Sequence, residues 1–190
     1  PNTSLPNKEH TIYPYLLKGL KITRPNQVWA TDITYIPMAK GFMYLIAIVD
    51  LFSRKVLTWS VSNTMESEWC AEVLKAAIKE FGKPDIFNTD QGSQFSSDEW
   101  KRFLDTHRLS ASMSRRGNCW DNAVAESFFS SLKKEQIKRR IYSSRDEARS
   151  DIFEYIEVFY NRRRRHSHLG QLSPADYEEK ANLNEVNECL

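Results

Sequence analysis

The chain is predicted to fold as an α/β domain on a mixed five-stranded sheet, three antiparallel strands plus two parallel ones, flanked by helices. Three observations lead there. Residues 28–61 hold three successive runs rich in β-branched and aromatic side chains, joined by short links. Stretches of helical period follow and alternate with two shorter apolar runs. Finally, 190 residues with 41% hydrophobic and 12% aromatic content suffice to bury one core.

Residues 1–25 show no periodicity and read as an N-terminal arm or linker. Val28 to Ile36 is the first strand, ended by Pro37. Phe42 to Asp50 is apolar on both faces, as a central strand covered on both sides should be. Lys55 to Val61 alternates, and links at Gly41 and at Ser53-Arg54 make the three an antiparallel meander. Trp69, Val73, Ala76, Ala77 and Phe81 share one helical face, with Gly82 and Pro84 as stop signals. Asp85 to Asn88 is a short strand ending at Thr89-Asp90-Gln91-Gly92. A helix from Ser97 to about Thr106 and a fifth strand from Leu109 to Met113 come next. A long helix is expected over about Asn118 to Arg140. Another opens at Ser144, where Glu147 completes a capping box, and ends in Arg162 to Arg165. This is the element order of an RNase H-like fold, with an expected core at 26–142 and a C-terminal helix and tail at 143–190. A fold does not establish a function, so the site is argued from its own residues.

Composition narrows the classes. No apolar run approaches the roughly 18 residues of a membrane span. Cys70, Cys119 and Cys189 are scattered and form no Cys-x-x-Cys pair, which argues against a disulfide framework or a zinc site and fits a reducing cytoplasm. His10 and His107 have no partner at ligand spacing. The start at Pro1 rather than Met suggests a piece of a longer protein. Net charge is only +2, but residues 133–165 carry 11 Lys or Arg against 6 Asp or Glu. The segment from Asp176 carries 5 acids and 1 Lys. This asymmetry fits either a basic surface for phosphates or a solvated helix face.

Three carboxylates stand out. Asp32 lies inside an otherwise apolar strand, where an ionised group needs a partner, a metal or an open edge. Asp90 closes the fourth strand just before Gly92, which allows close backbone approach; taken alone it is an ordinary turn aspartate. Glu126 shares a helix face with Asn122, Ser130 and Lys133, and taken alone fits an exposed ion pair with Lys133. Together, two strand-borne aspartates and one helical glutamate make a hard oxygen pocket for Mg²⁺, with Mn²⁺ able to substitute. Such ions serve in-line displacement at phosphorus. Asp50, Asp98, Glu99 and Asp121 are weaker rivals. Asp50 is expected on the opposite rim, and Asp121, some 140° round the helix from Glu126, faces elsewhere.

These residues carry a family resemblance. Pro25 to Ile36, Asp50 to Arg54, Thr89 to Phe95, Ser112 to Phe129, Tyr160 to Ser167 and Leu172 to Ala175 resemble the DDE transposases with a retroviral-integrase-type core, specifically the OrfB product of the IS-three insertion-sequence family. The 35 residues between Asp90 and Glu126 are that family's spacing. The resemblance covers about Tyr13 to Tyr177. It implies strand cleavage at insertion-sequence ends and transfer of the 3′-hydroxyl, with Asp32, Asp90 and Glu126 as catalytic metal ligands and Lys133 as a DNA contact. It further implies terminal inverted repeats and target DNA as partners, a homo-oligomer of at least two copies, and an upstream helix-turn-helix region or partner protein. A cytoplasmic, nucleoid-associated setting follows. Asn88-Thr89 departs from the His-Ser of many relatives and leaves the aspartate in place.

Accessory residues carry paired readings. Asn122 joins the DNA-facing set through its helix face. Arg115 and Arg116 are phosphate contacts or a solvated loop. Arg162, Arg163, Arg164 and Arg165 bind DNA backbone, form an exposed cap, or pack on the acidic tail. Trp120 stacks on an unpaired base or belongs to the core. Two other functions compete with transposition: a structure-selective nuclease of RNase H type, and a DNA-binding or assembly module without catalysis.

Overall fold

A computed structural model describes residues 11–118, 120–138 and 140–188. Residues 1–10 of the arm with His10, and Cys119 and Cys189, lie outside them.

The sheet has the order β3-β2-β1-β4-β5. Strands β1 (Val28–Pro37), β2 (Phe42–Asp50) and β3 (Val56–Ser62) form the antiparallel meander, and β4 (Ile86–Thr89) and β5 (Ser110–Met113) add in parallel. This is the expected RNase H-like arrangement. Side chains alternate across the pleat, so each strand feeds two cores. Met43, Leu45, Ala47 and Val49 point to one, Ile46 and Ile48 to the other.

Helices α1 (Ser67–Phe81) and α2 (Asp98–His107) close the second core, with Cys70, Leu74, Trp100 and Leu104 buried against Trp29 and Phe87. Ser97 caps α2 by accepting from the Trp100 N–H. On the other face lie α3 (Ala123–Leu132) and α4 (Arg145–Phe153), each continuing into a wider π-helical turn, Lys133–Ile137 and Glu154–Tyr160. Phe128, Leu132, Ile152 and Ile156 complete that core. The 143–160 stretch therefore shares its hydrophobic core with the sheet.

Three expectations need correction. The helix carrying Glu126 starts at Ala123, because residues 120–122 are spent on a turn, with the Asp121 N–H donating to Asn118 O. The helix before the arginine run ends at Tyr160 and passes into a turn at 161–163, where Asn161 keeps a helical backbone while its side chain bonds β3. Its Nδ2 donates to Val56 O, and its Oδ1 accepts from the Val56 N–H, both at 2.9 Å. The acidic tail is helical: α5 spans Pro174–Glu188. Ser173 caps α5 by accepting from the Asp176 N–H, and Pro174 takes the first-turn position where its missing N–H costs nothing. The Ser-Pro-x-Asp pattern was a readable start signal.

The arm is not a free linker where it is described. The Leu16 N–H donates to Ser112 Oγ at 3.0 Å, and the Thr11 N–H donates to Ser96 O, so residues 11–16 run across β5 and α2.

Candidate active site

The β1–β4 ladder pairs Val28 with Ile86 and Ala30 with Asn88, then stops. Two residues beyond that last pair stand Asp32 and Asp90. Period-two alternation sends both toward the α3 face of the sheet. Asn122, just before α3, donates from Nδ2 to Thr31 O at 3.3 Å and anchors the helix beside Asp32. Glu126 follows one turn later, its N–H donating to Asn122 O. All three acids line one cavity of about 500 Å³, with Asn122, Gln91, Ser114 and the Arg115–Asn118 turn on its walls. Larger hollows of about 730 and 680 Å³ lie elsewhere: the first also carries three acids, Glu80, Glu157 and Asp176, but beside Lys55 and Arg162 and with Glu157 and Asp176 accepting from Trp59 Nε1 and the Ser173 hydroxyl, and the second carries none.

The electrostatics mark the spot. Burial, reinforced by the Asp90 and Glu126 charges, pushes Asp32 up to about 6, against a backbone hydrogen bond from Ile33 and the pull of Lys133. Burial also raises Asp90, opposed by the Gly92 N–H. Among the described residues no three acidic, His or Cys groups already stand at metal-ligating separation. Instead Asp32 Oδ1 accepts from the Ile33 N–H at 2.8 Å and Asp90 Oδ1 from the Gly92 N–H at 3.0 Å. Like-charge repulsion favours such splaying. The donor chemistry fits a hard divalent cation: three carboxylates, plus the buried Asn122 Oδ1, which has no partner in the protein.

A polar hub holds the site together. Asn88 is fully buried between β5 and the turn before α3. Its Nδ2 donates to Ser114 Oγ (3.1 Å) and Asp121 O (3.3 Å), and its Oδ1 accepts from Ser112 Oγ at 2.8 Å. Gln91 Nε2 donates to Ser114 O, and the Ser114 N–H donates to Thr89 O. Sequence reasoning passed over Asn88, Ser112 and Ser114. Their only signal was a polar run inside otherwise apolar strands.

The rival acids have other tasks. Asp121 lies in the turn, not on the helix, and is buried. Its carboxylate accepts from Arg115 Nε, Nη2 and backbone N–H at 2.8–3.0 Å, and hydrogen bonding to Arg115 holds it below its ordinary value. Asp50 is fully buried and holds the β2–β3 turn by accepting from the Phe52, Ser53 and Asn26 N–H groups. Asp98 and Glu99 sit exposed in the first turn of α2.

The cations divide. Arg115 is committed to Asp121 and lies over the Tyr15 ring, whereas Arg116 is exposed on the cavity wall. Lys133 is exposed at the start of the π turn beyond Glu126. In the arginine run, Arg164 makes a two-pronged pair with Glu135, while Arg162, Arg163 and Arg165 are exposed. Arg162 borders the 730 Å³ cavity and Arg165 the 680 Å³ one. Trp120 is 83% exposed, which overturns its reading as a core residue. It stands two residues before Asn122, which lines the cavity.

The geometry agrees with comparison to known proteins. A family model described as "Integrase core domain" matches residues 22–119, just over half the chain, and a second of the same description matches 126–181. The transposase of insertion sequence IS904 from Lactococcus lactis is 44% identical over 160 residues, 83% of this chain and 63% of that protein. The InsF transposase of IS3A from Escherichia coli is 44% identical over 158 residues, 82% of this chain and 55% of that protein. The chain thus spans between half and two thirds of the length of these relatives. Among solved structures, the HTLV-2 integrase catalytic core in complex with magnesium superposes with a TM-score of 0.62 at 20% identity, covering 82% of this chain and 97% of that one. The BIV integrase core gives 0.62 at 15% identity, over 85% and 99%. These likenesses speak to the fold alone. The family match over most of the folded core places this chain in the integrase core domain family, with insertion-sequence transposases as its sequence relatives.

Proposed function

We propose that the chain is the catalytic core of a DNA transposase, cleaving strands at insertion-sequence ends and transferring the 3′-hydroxyl to target DNA. The observation that carries this reading is the meeting of Asp32, Asp90 and Glu126 around one cavity, from two neighbouring strands and a facing helix. Mg²⁺ or Mn²⁺ held by these three supplies Lewis acidity for in-line displacement at phosphorus. In each step a water or 3′-hydroxyl oxygen bonds to phosphorus as the bond to the leaving oxygen breaks. The protein's own task is orientation and charge. Lys133 and Arg116 meet phosphates beside the acids, Asn122 ties the Glu126 helix to β1, and the exposed Trp120 stacks on an unpaired base at the cut end.

Residues 26–142 are the core in this reading, and 143–190 pack on it. The partners are terminal inverted repeats, target DNA, at least one further copy, and an upstream helix-turn-helix region or partner protein. The setting is the bacterial cytoplasm. No helix among the described residues is long and apolar enough to cross a membrane.

The test is Mn²⁺-dependent joining on a branched oligonucleotide that mimics the transfer product, with Asp90→Asn in parallel. Joining by wild type and not by the variant is the expected result. Equal joining by both would remove Asp90 from the mechanism. Cutting without joining would favour a structure-selective nuclease. DNA binding with neither would favour a non-catalytic assembly module.

A further inference from the structure

Opposite the catalytic cavity, α3 borders a second hollow of about 680 Å³. Its charged lining is entirely cationic or imidazole: Arg54, Arg164, Arg165, His166 and His168, with Ser127 and Ser131 contributed by α3. Arg54 is the unusual member. It occupies the left-handed region (φ 64°) in the β2–β3 turn, a conformation unfavourable for a side chain with a Cβ. Its backbone is held there by its N–H donating to Asp50 O at 2.9 Å. The guanidinium points into low-dielectric surroundings, and its Nε is buried without a hydrogen-bond partner. A buried donor left without a partner is destabilising, and more so when the group is charged.

Nearby acids offset this cluster only in part. Asp50 acts on Arg54 through space, but its hydrogen bonds go to the Asn26, Phe52 and Ser53 N–H groups and the Ser53 hydroxyl, and it forms no ion pair with Arg54. Glu135 is taken by Arg164 and by the Tyr155 hydroxyl. Arg165 is exposed and forms no ion pair among the described residues. Burial first, with repulsion from Arg164 and Arg54 adding to it, pushes His166 down to about 4, so the positive charge of the lining rests on its arginines. The far wall is rigid: His166 pairs with Leu172 across a tight loop closed by left-handed Gly170 and Gln171.

We infer that this hollow, with Arg54 and Arg165 as its donors, is a second phosphate subsite that grips the DNA backbone while the reacting phosphate lies among Asp32, Asp90 and Glu126. The inference rests on the transposase reading. Because α3 separates the two cavities, they stand about one helix diameter apart, ~10 Å. With that offset along the duplex axis, where a strand rises ~3.4 Å per nucleotide, the gripped phosphate is roughly three nucleotides from the reacting one.

The experiment replaces single phosphates of the branched oligonucleotide by neutral methylphosphonates, position by position, and measures affinity by fluorescence anisotropy alongside Mn²⁺-dependent joining. Arg165→Gln is the main variant because an exposed residue can be changed without unfolding the chain. Lys101→Gln, at an exposed position on α2, is an equal change of charge outside the hollow. Wild type and Lys101→Gln should lose several-fold affinity at one position about three nucleotides from the reacting phosphate. Arg165→Gln should be insensitive at that position, with its salt dependence reduced by about one phosphate. The proposal is overturned if Arg165→Gln keeps the same sensitive position, or if wild type has none. It is also overturned if inorganic phosphate perturbs the His166 imidazole signals equally with and without saturating DNA, since the hollow would then serve a free anion. Normal joining in an overturned subsite leaves the transposase reading standing. A sensitive phosphate without joining counts against that reading and not against the subsite.

Discussion

Replacing Asp32 with Asn removes a carboxylate that the fold holds at a cost. In the folded chain Asp32 keeps its proton up to about pH 6, whereas an unfolded aspartate releases it near 4. Between those values the folded state binds more protons than the unfolded one, so stability falls as pH rises through the window. The cost is absent below about pH 4 and complete above about pH 6. Two pKa units at about 1.4 kcal/mol each make it roughly 3 kcal/mol, an upper estimate since a polar Asn side chain remains buried. Asp32→Asn should therefore be more stable than wild type by up to about 3 kcal/mol at pH 8, with the gap closing toward pH 4. Urea unfolding at several pH values measures this directly. Adding 10 mM Mn²⁺ should narrow the gap at pH 8: for a dissociation constant near 1 mM, wild type gains about 1.4 kcal/mol and the variant gains none. A variant no more stable than wild type at pH 8, or a gap independent of pH, refutes the burial argument. Equal stabilisation of both proteins by Mn²⁺ refutes Asp32 as a ligand. The variant should also lose joining, trading function for stability.

Four other substitutions probe separate links. Asn161→Ala leaves both polar backbone groups of Val56 unpaired behind the C-terminal helices and should cost on the order of 2–4 kcal/mol in urea unfolding. Asn88→Ala should cost on the order of 2–3 kcal/mol and should lower joining further than its stability loss explains, because the hub aligns β4, β5 and the turn before Glu126. Trp120→Ala should leave stability within about 0.5 kcal/mol, as suits an exposed residue. Its affinity for an end with an unpaired base should fall by about 1–3 kcal/mol while that for a blunt duplex is unchanged. Asp121, held below its ordinary value by Arg115, contributes stability above the usual carboxylate range that disappears as pH falls through its lowered pKa. Asp121→Asn should abolish that acid-side loss in the same unfolding series.

Strands and helices with a clear period were legible in order, because alternation and helical spacing are local consequences of which face is buried. Strand β2 matches its predicted limits from Phe42 to Asp50. Errors gathered where distant groups compete with local pattern. The helix before the arginine run stops at Tyr160, beside Asn161, whose side chain bonds a strand 105 positions earlier in the chain, and Asp121 is fixed by Arg115 rather than by a helical angle. Trp120 carries the composition of a core residue, and only its place in the turn puts it in solvent.

The sequence alone indicated the element order and the fold class, and it singled out Asp32 as an acid inside an apolar strand, whereas Asp90 and Glu126 stood out only in combination with it and through the family spacing. Tertiary structure decided what those residues meet. It set the β1–β4 register that puts Asp32 beside Asp90, the Asn122 bond that brings Glu126 to them, and the division of arginines between Arg164, spent on Glu135, and Arg54 and Arg165, left to face a hollow. The physical reason is one of range. Hydrophobic periodicity acts between neighbours in the chain, whereas the pairing of buried charges and polar groups depends on which parts of the chain the two cores press together.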